Sequence, residues 1–266
     1  MFRHTKLPGM AAVASLMFAA LHGCQGKGDD ASTGGDDSGL SGDSGQTDEP
    51  VCTEPKELAC EDALILQLGL QDDESSDGDV QTTMDGDDFI TTVDATAGGI
   101  NEAATSPWVY FRFTPDGAEK VEIPDTEALE RMDWDVSLRR FIIRLNGGTS
   151  GPSCVGAITL IESTYDDVTT VPSGAAWVED DYYTDDCTLV NDTSGLPDSP
   201  QVALGAWWSY SGCVATTMAP HLIRLASGEV VKMVVESYYA SGQDECNETG
   251  NRGTNGANIT LRWSYL

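Results

Sequence analysis

Nine short runs rich in β-branched and aromatic residues, each bounded by Gly, Pro, Asp or Asn, confine this chain to an all-β fold. They span 89–95, 108–113, 119–123, 134–145, 155–161, 201–210, 220–226, 229–239 and 257–265. Ser227-Gly228 separates two of them by two residues, the spacing of a tight hairpin. Pro115-Asp116-Gly117 carries turn chemistry between two others. One short helix is expected near 125–131, where Pro124 precedes Asp125 and Asp125 can cap the run TEALER. Residues 60–70 suit helix and strand equally. The expectation is a mainly antiparallel, single β-domain with no repeat of fixed period.

Two segments of different character precede it. Arg3 and Lys6 lead into the uncharged, mostly apolar run 10–21, which is too short to span a bilayer and matches a signal-peptide core. The run ends in Leu21-His22-Gly23-Cys24, which is similar to the lipobox of bacterial lipoproteins. That similarity implies a signal peptide at 1–23 and lipid attachment at Cys24. Gln25 after the cysteine implies sorting to the outer membrane, facing either the periplasm or the cell surface. Residues 24–51 are Gly, Ser and acids with almost nothing apolar, so they are expected to form a disordered acidic tether.

The chain carries 14 Lys+Arg against 44 Asp+Glu, a net charge of −30. A field of that sign repels phosphate backbones and anionic lipid, which excludes nucleic acid as partner and leaves the lipid anchor as the route to a membrane. Beyond residue 51 lie Cys52, Cys60, Cys154, Cys187, Cys213 and Cys246, with His221 as the one histidine and no C-x-x-C pair. An exported chain meets an oxidising compartment, so these read as three disulfides rather than a metal site. Cys52–Cys60 is the expected local bridge; the other four allow three pairings, between which spacing cannot choose. There is no G-x-S-x-G elbow and no H-E-x-x-H, so binding is expected rather than catalysis, with a secreted hydrolase the outsider. In the acidic run 71–88, an EF-hand begun at Asp73 would place Met84 where a bidentate Glu belongs, so the run reads as a solvated loop. Tyr182-Tyr183, flanked by Asp180, Asp181, Asp185 and Asp186, reads as another.

The stretch WDVSLRRFIIRLNGGTSG at 134–151 resembles the signature of the HmuY-like lipoproteins, through Trp134, Asp135, Arg139, Arg140, Asn146, Gly147 and Gly151. Trp108-Val109-Tyr110-Phe111-Arg112-Phe113, Thr170-Val171-Pro172 and Gly205-Ala206-Trp207-Trp208 sit at family-like spacing. The resemblance covers about 105–266, with 52–104 as a Cys-bridged acidic extension of the domain. The signature reads physically as a long central strand, apolar on both faces, closing in a Gly-rich loop. Arg139 and Arg140 then point in opposite directions, and at least one is expected to meet a carboxylate such as Asp135.

The resemblance implies a binding protein for haem, another tetrapyrrole or a small hydrophobic ligand at the outer membrane. Family members hold haem with two axial histidines, or in some relatives with methionines. Neither histidine is matched here. The corresponding regions, 179–200 and 211–213, hold Cys187 and Cys213 instead, which suggests a Cys187–Cys213 staple, with Cys154–Cys246 left over. Met218 and His221 stand as the candidate cofactor contacts, and capture proceeds without bis-histidine ligation. The alternative is an adhesive or partner-binding module that kept the fold and lost haem.

Overall fold

The computed structural model describes residues 51–192 and 200–266; the signal peptide, Cys24 and the tether up to residue 50 lie outside the described residues. Among the described residues the order is α1 (Glu61–Leu68), β1 (Val80–Asp85), β2 (Asp88–Asp94), β3 (Val109–Thr114), β4 (Gly117–Val121), β5 (Val136–Arg139), β6 (Ile142–Leu145), β7 (Gly156–Thr159), β8 (Trp208–Tyr210), β9 (Val214–Thr216), β10 (His221–Arg224), β11 (Val230–Tyr239), α2 (Asp244–Thr249) and β12 (Gly256–Tyr265). One sheet runs β1-β2-β12-β11-β10-β7, a second β4-β3-β5-β6, and β8-β9 form a separate ribbon. Every ladder between these strands is antiparallel.

Alternation along β3 makes the four-stranded sheet the middle layer. Val109, Phe111 and Phe113 face the six-stranded sheet and pack with Val93, Leu138, Leu261 and Trp263. Trp108 and Tyr110 point the other way and pack with Trp134 and the Leu64 and Leu68 stripe of α1. Each such side chain contributes about 1.5–3 kcal/mol by leaving water. Residues 60–70 thus resolve as a helix, because Leu64 and Leu68 have a second core to enter. Gly69, at φ 53°, closes it while the Leu70 N–H reaches back to the Ile65 carbonyl.

Several expectations need correction. Residues 134–145 are two strands, not one: Arg139 pairs with Ile142, so Arg140 and Phe141 form a two-residue hairpin turn. Arg140 takes φ 56° there, a conformation sequence reasoning assigns to Gly or Asn. The expected burial of this segment on both faces holds, since Val136, Ser137, Leu138 and Arg139 are all buried. Neither arginine meets Asp135. Arg139 donates to the carbonyls of Leu68, Gly69 and Ser106, and Arg140 makes long contacts with those of Thr96 and Gly256. The helix near 125–131 shrinks to a 3₁₀ turn at Glu127–Leu129. Asp125 does not cap it; its carboxylate accepts the N–H groups of Gln71 and Trp108. The acidic run 71–88 contains β1, an edge strand whose solvent face is polar. Tyr182 and Tyr183 are buried in the α1 core rather than solvated.

The disulfides are Cys52–Cys154, Cys60–Cys187 and Cys213–Cys246, so Cys52–Cys60, Cys187–Cys213 and Cys154–Cys246 are all overturned. Backbone bonds from Val51 to Ala226 and from Lys56 to Pro152 lay the strap before α1 along the domain. Cys52 is thereby delivered to the loop after the glycine corner, and Cys60 to the segment following Tyr182-Tyr183. Both cysteines of this segment outside the family resemblance are used to fasten it to the rest.

The remaining signature residues build that corner. Asn146 donates to the Arg131 and Trp134 carbonyls and accepts the Ser153 N–H. A Cβ on Gly151 would come within 2.5 Å of the Asn146 Oδ1, and one on Gly147 within 2.2 Å of the Val155 carbonyl oxygen. The buried Asp180 carboxylate gathers the N–H groups of Leu145 and Ala203 and the Ser150 hydroxyl.

Candidate binding cleft

The β5–β6 hairpin turn does not end in solvent. It projects Arg140 and Phe141 into a cleft of about 650 Å³, opposite Trp208 and Tyr210 of β8 and the end of β11 at Tyr238 and Tyr239. This lies within the range of roughly 300–1,000 Å³ common for small-ligand sites. The walls are aromatic: Phe141 and Trp208 lie 4.8 Å apart, and Trp207 stands behind them 6.1 Å from Tyr238. The Trp207 indole N–H donates to the Phe141 carbonyl at 3.2 Å, tying the ribbon to the hairpin turn. The Val214 N–H donates to the Tyr239 hydroxyl at 2.9 Å. Cys213–Cys246 pins this side to α2, the chain leaving α2 supplies Arg252, Gly253 and Asn255 as another wall, and Ile100, Ala103 and Ala104 complete the lining.

Charge is the distinctive feature. Arg139, Arg140 and Arg252 line the cleft, and no Asp or Glu among the described residues does. None of the three forms an ion pair among the described residues. Arg139 is the fixed one, lying 4.7 Å over the Trp108 ring and holding three carbonyls. Burial lowers its pKa to about 10, which leaves it a cation at neutral pH. Arg140 and Arg252 make only contacts of 3.4–3.5 Å, so their guanidiniums keep donors to offer a ligand.

The two residues singled out as cofactor contacts do not reach this cleft. His221 is sealed in the six-stranded sheet, paired with Met233 and Thr159, and its Nδ1 lies 2.9 Å from the Thr159 hydroxyl. Burial pushes its pKa down to about 4, so it stays neutral. Met218 is 46% exposed, beyond the end of β9, with φ 57°. Arg139 and Arg140 belong to the signature, whose pattern places them in a strand; nothing in the sequence points to Arg252. No cluster of three or more His, Cys, Asp or Glu able to hold a metal ion occurs among the described residues. Nor is any helix among them long and apolar enough to cross a membrane.

Among known proteins, the family model described as HmuY protein matches residues 104–251. A structure from Bacteroides vulgatus, named as a candidate HmuY-like haem-binding protein, is 17% identical, with TM-score 0.43 over 73% of this chain and 96% of that one. A candidate lipoprotein from Bacteroides fragilis is 16% identical, with TM-score 0.42 over 68% and 93%. The apo HmuY analogue of Tannerella forsythia is also 16% identical, with TM-score 0.41 over 73% and 99%. No curated protein matches the chain. Because the family model covers more than half of it, the chain belongs to the HmuY family.

Proposed function

We propose that this chain is a lipid-anchored, outer-membrane binding protein that captures haem or another carboxylated tetrapyrrole in the arginine-lined aromatic cleft, without histidine ligation. One observation carries this reading. In a chain of net charge −30, three arginines that form no ion pair among the described residues meet in a single apolar cleft. The donor set suits a flat, apolar, anionic ligand: Phe141 and Trp208 offer ring faces, and the planar guanidinium of Arg140 matches a carboxylate. Haem, when bound, supplies an open iron coordination site, for which the cleft offers phenols rather than imidazoles. Membership of the HmuY family supports the ligand class.

Titrating the full chain with metal-free protoporphyrin and with ferric haem, followed by tryptophan fluorescence and the Soret band, tests the proposal. Saturable 1:1 binding is expected. Trp208→Ala and Arg140→Ala should each weaken it about tenfold, roughly 1.4 kcal/mol, while Met218→Ala leaves it unchanged. Absence of saturation at micromolar porphyrin would reject capture and leave a partner-binding module. For the anchor, Cys24→Ser should shift the chain from the membrane to the soluble fraction; unaltered membrane association would refute lipidation at that residue.

A further inference from the structure

The geometry points to Tyr210 as the iron ligand of this cleft, with Arg252 as the positioning residue that holds its phenol oxygen; this rests on the tetrapyrrole reading above. Tyr210 ends β8, is 55% exposed and lines the cleft. The Arg252 Nη2 lies 3.5 Å from its hydroxyl, which has no other hydrogen-bond partner among the described residues. The other two phenols of the lining are poorer donors. The Tyr239 oxygen already accepts the Val214 N–H in a buried site, and burial pushes the Tyr238 phenol up, against its anionic form. No histidine, methionine or cysteine among the described residues lines the cleft. By elimination the cleft offers oxygen, and a tyrosine is an established type of axial donor to haem iron.

Arg252 is placed by its backbone. Helix α2 stops at Gly250 with φ 73°, and the Thr254 N–H donates to the Ser241 hydroxyl. Gly253 lies so close to Tyr239 that a Cβ would come within 2.7 Å of its ring. The guanidinium is therefore offered beside Tyr210 by a segment with little freedom to withdraw. On binding, the Tyr210 phenol would give its proton to solvent, and its oxygen would take the place of the water that ferric iron carries in solution, which would leave as water; no oxidation state would change. The facing guanidinium stabilises the anionic oxygen so formed.

The test compares ferric protoporphyrin with metal-free protoporphyrin on the full chain. Wild type should show a high-spin ferric spectrum with a phenolate-to-iron charge-transfer band. Its ferric affinity should rise by up to about tenfold per pH unit, as release of one proton requires. Tyr210→Phe should abolish the band and the pH slope and weaken ferric binding at least about tenfold more than it weakens metal-free binding. Arg252→Gln should weaken ferric binding several-fold and shift the band without removing it, while the slope persists because one proton is still released. If Tyr210→Phe leaves the ferric spectrum and slope intact while metal-free porphyrin still binds, the tyrosine assignment is overturned and the cleft reading stands. If wild type binds neither porphyrin, both fall.

Discussion

Asp135 accepts the Phe113 N–H at 2.8 Å in a buried site, and burial pushes its carboxyl up to about 7. Between the ordinary carboxylate range and that value, the folded protein holds a proton that the unfolded chain has released. Its contribution to stability therefore grows as pH falls from about 7 to about 4, and above 7 the buried charge costs up to about 4 kcal/mol. His221 acts in the opposite sense: with its pKa depressed to about 4, it withdraws stability as pH falls from about 6.5 toward 4. An amide at 135 can still accept the Phe113 N–H, so Asp135→Asn separates the two effects. The variant should be at least as stable as wild type at pH 8. Relative to wild type it should lose stability steadily between pH 7 and pH 4.5, read from urea midpoints. Parallel profiles for the two proteins would show that this carboxyl does not titrate in that window.

At the scale of elements, legibility followed turn chemistry. The β10–β11 and β3–β4 hairpins were readable because Ser227-Gly228 and Pro115-Asp116-Gly117 carry residues that suit tight turns. The β5–β6 hairpin was not, because Arg140 takes the left-handed conformation with no glycine or asparagine to announce it. That strain sits at the cleft, where backbone irregularity often marks a binding role. The cleft itself was only half legible. One wall belongs to the family signature, but the Arg252 wall depends on a disulfide between Cys213 and Cys246 that no local pattern specifies. The strap and α1 make the same point: their place is set by Cys52–Cys154 and Cys60–Cys187, which span 102 and 127 residues. With the first bridge intact, the second closes an effective loop of only about 40 residues, so removing it should cost about 4 kcal/mol in the chain-entropy model. Denaturation of Cys60→Ser/Cys187→Ser checks this. A loss below about 1 kcal/mol would mean that the strap and α1 do not depend on the bridge.

The molecule as a whole sets its own field against the ligand proposed for it. A net charge of −30 repels a carboxylated porphyrin at long range, whereas Arg139, Arg140 and Arg252 attract it only once it has reached the cleft. The two effects act over different distances. Screening shortens from about 30 Å at 0.01 M salt to about 10 Å at 0.1 M, so added salt removes the distant repulsion before it weakens contacts made at hydrogen-bond range. The association rate of a carboxylated porphyrin should therefore rise several-fold between about 0.01 and 0.2 M salt, opposite to an encounter steered by attraction. The methyl ester of the same porphyrin, which carries no charge for the field to act on, should show a flat profile in stopped-flow fluorescence. A rate for the acid that falls with salt would mean that the guanidiniums of the cleft dominate the field an approaching ligand meets. The acidic surface would then serve solubility alone, rather than selecting ligands apolar enough to enter in spite of it.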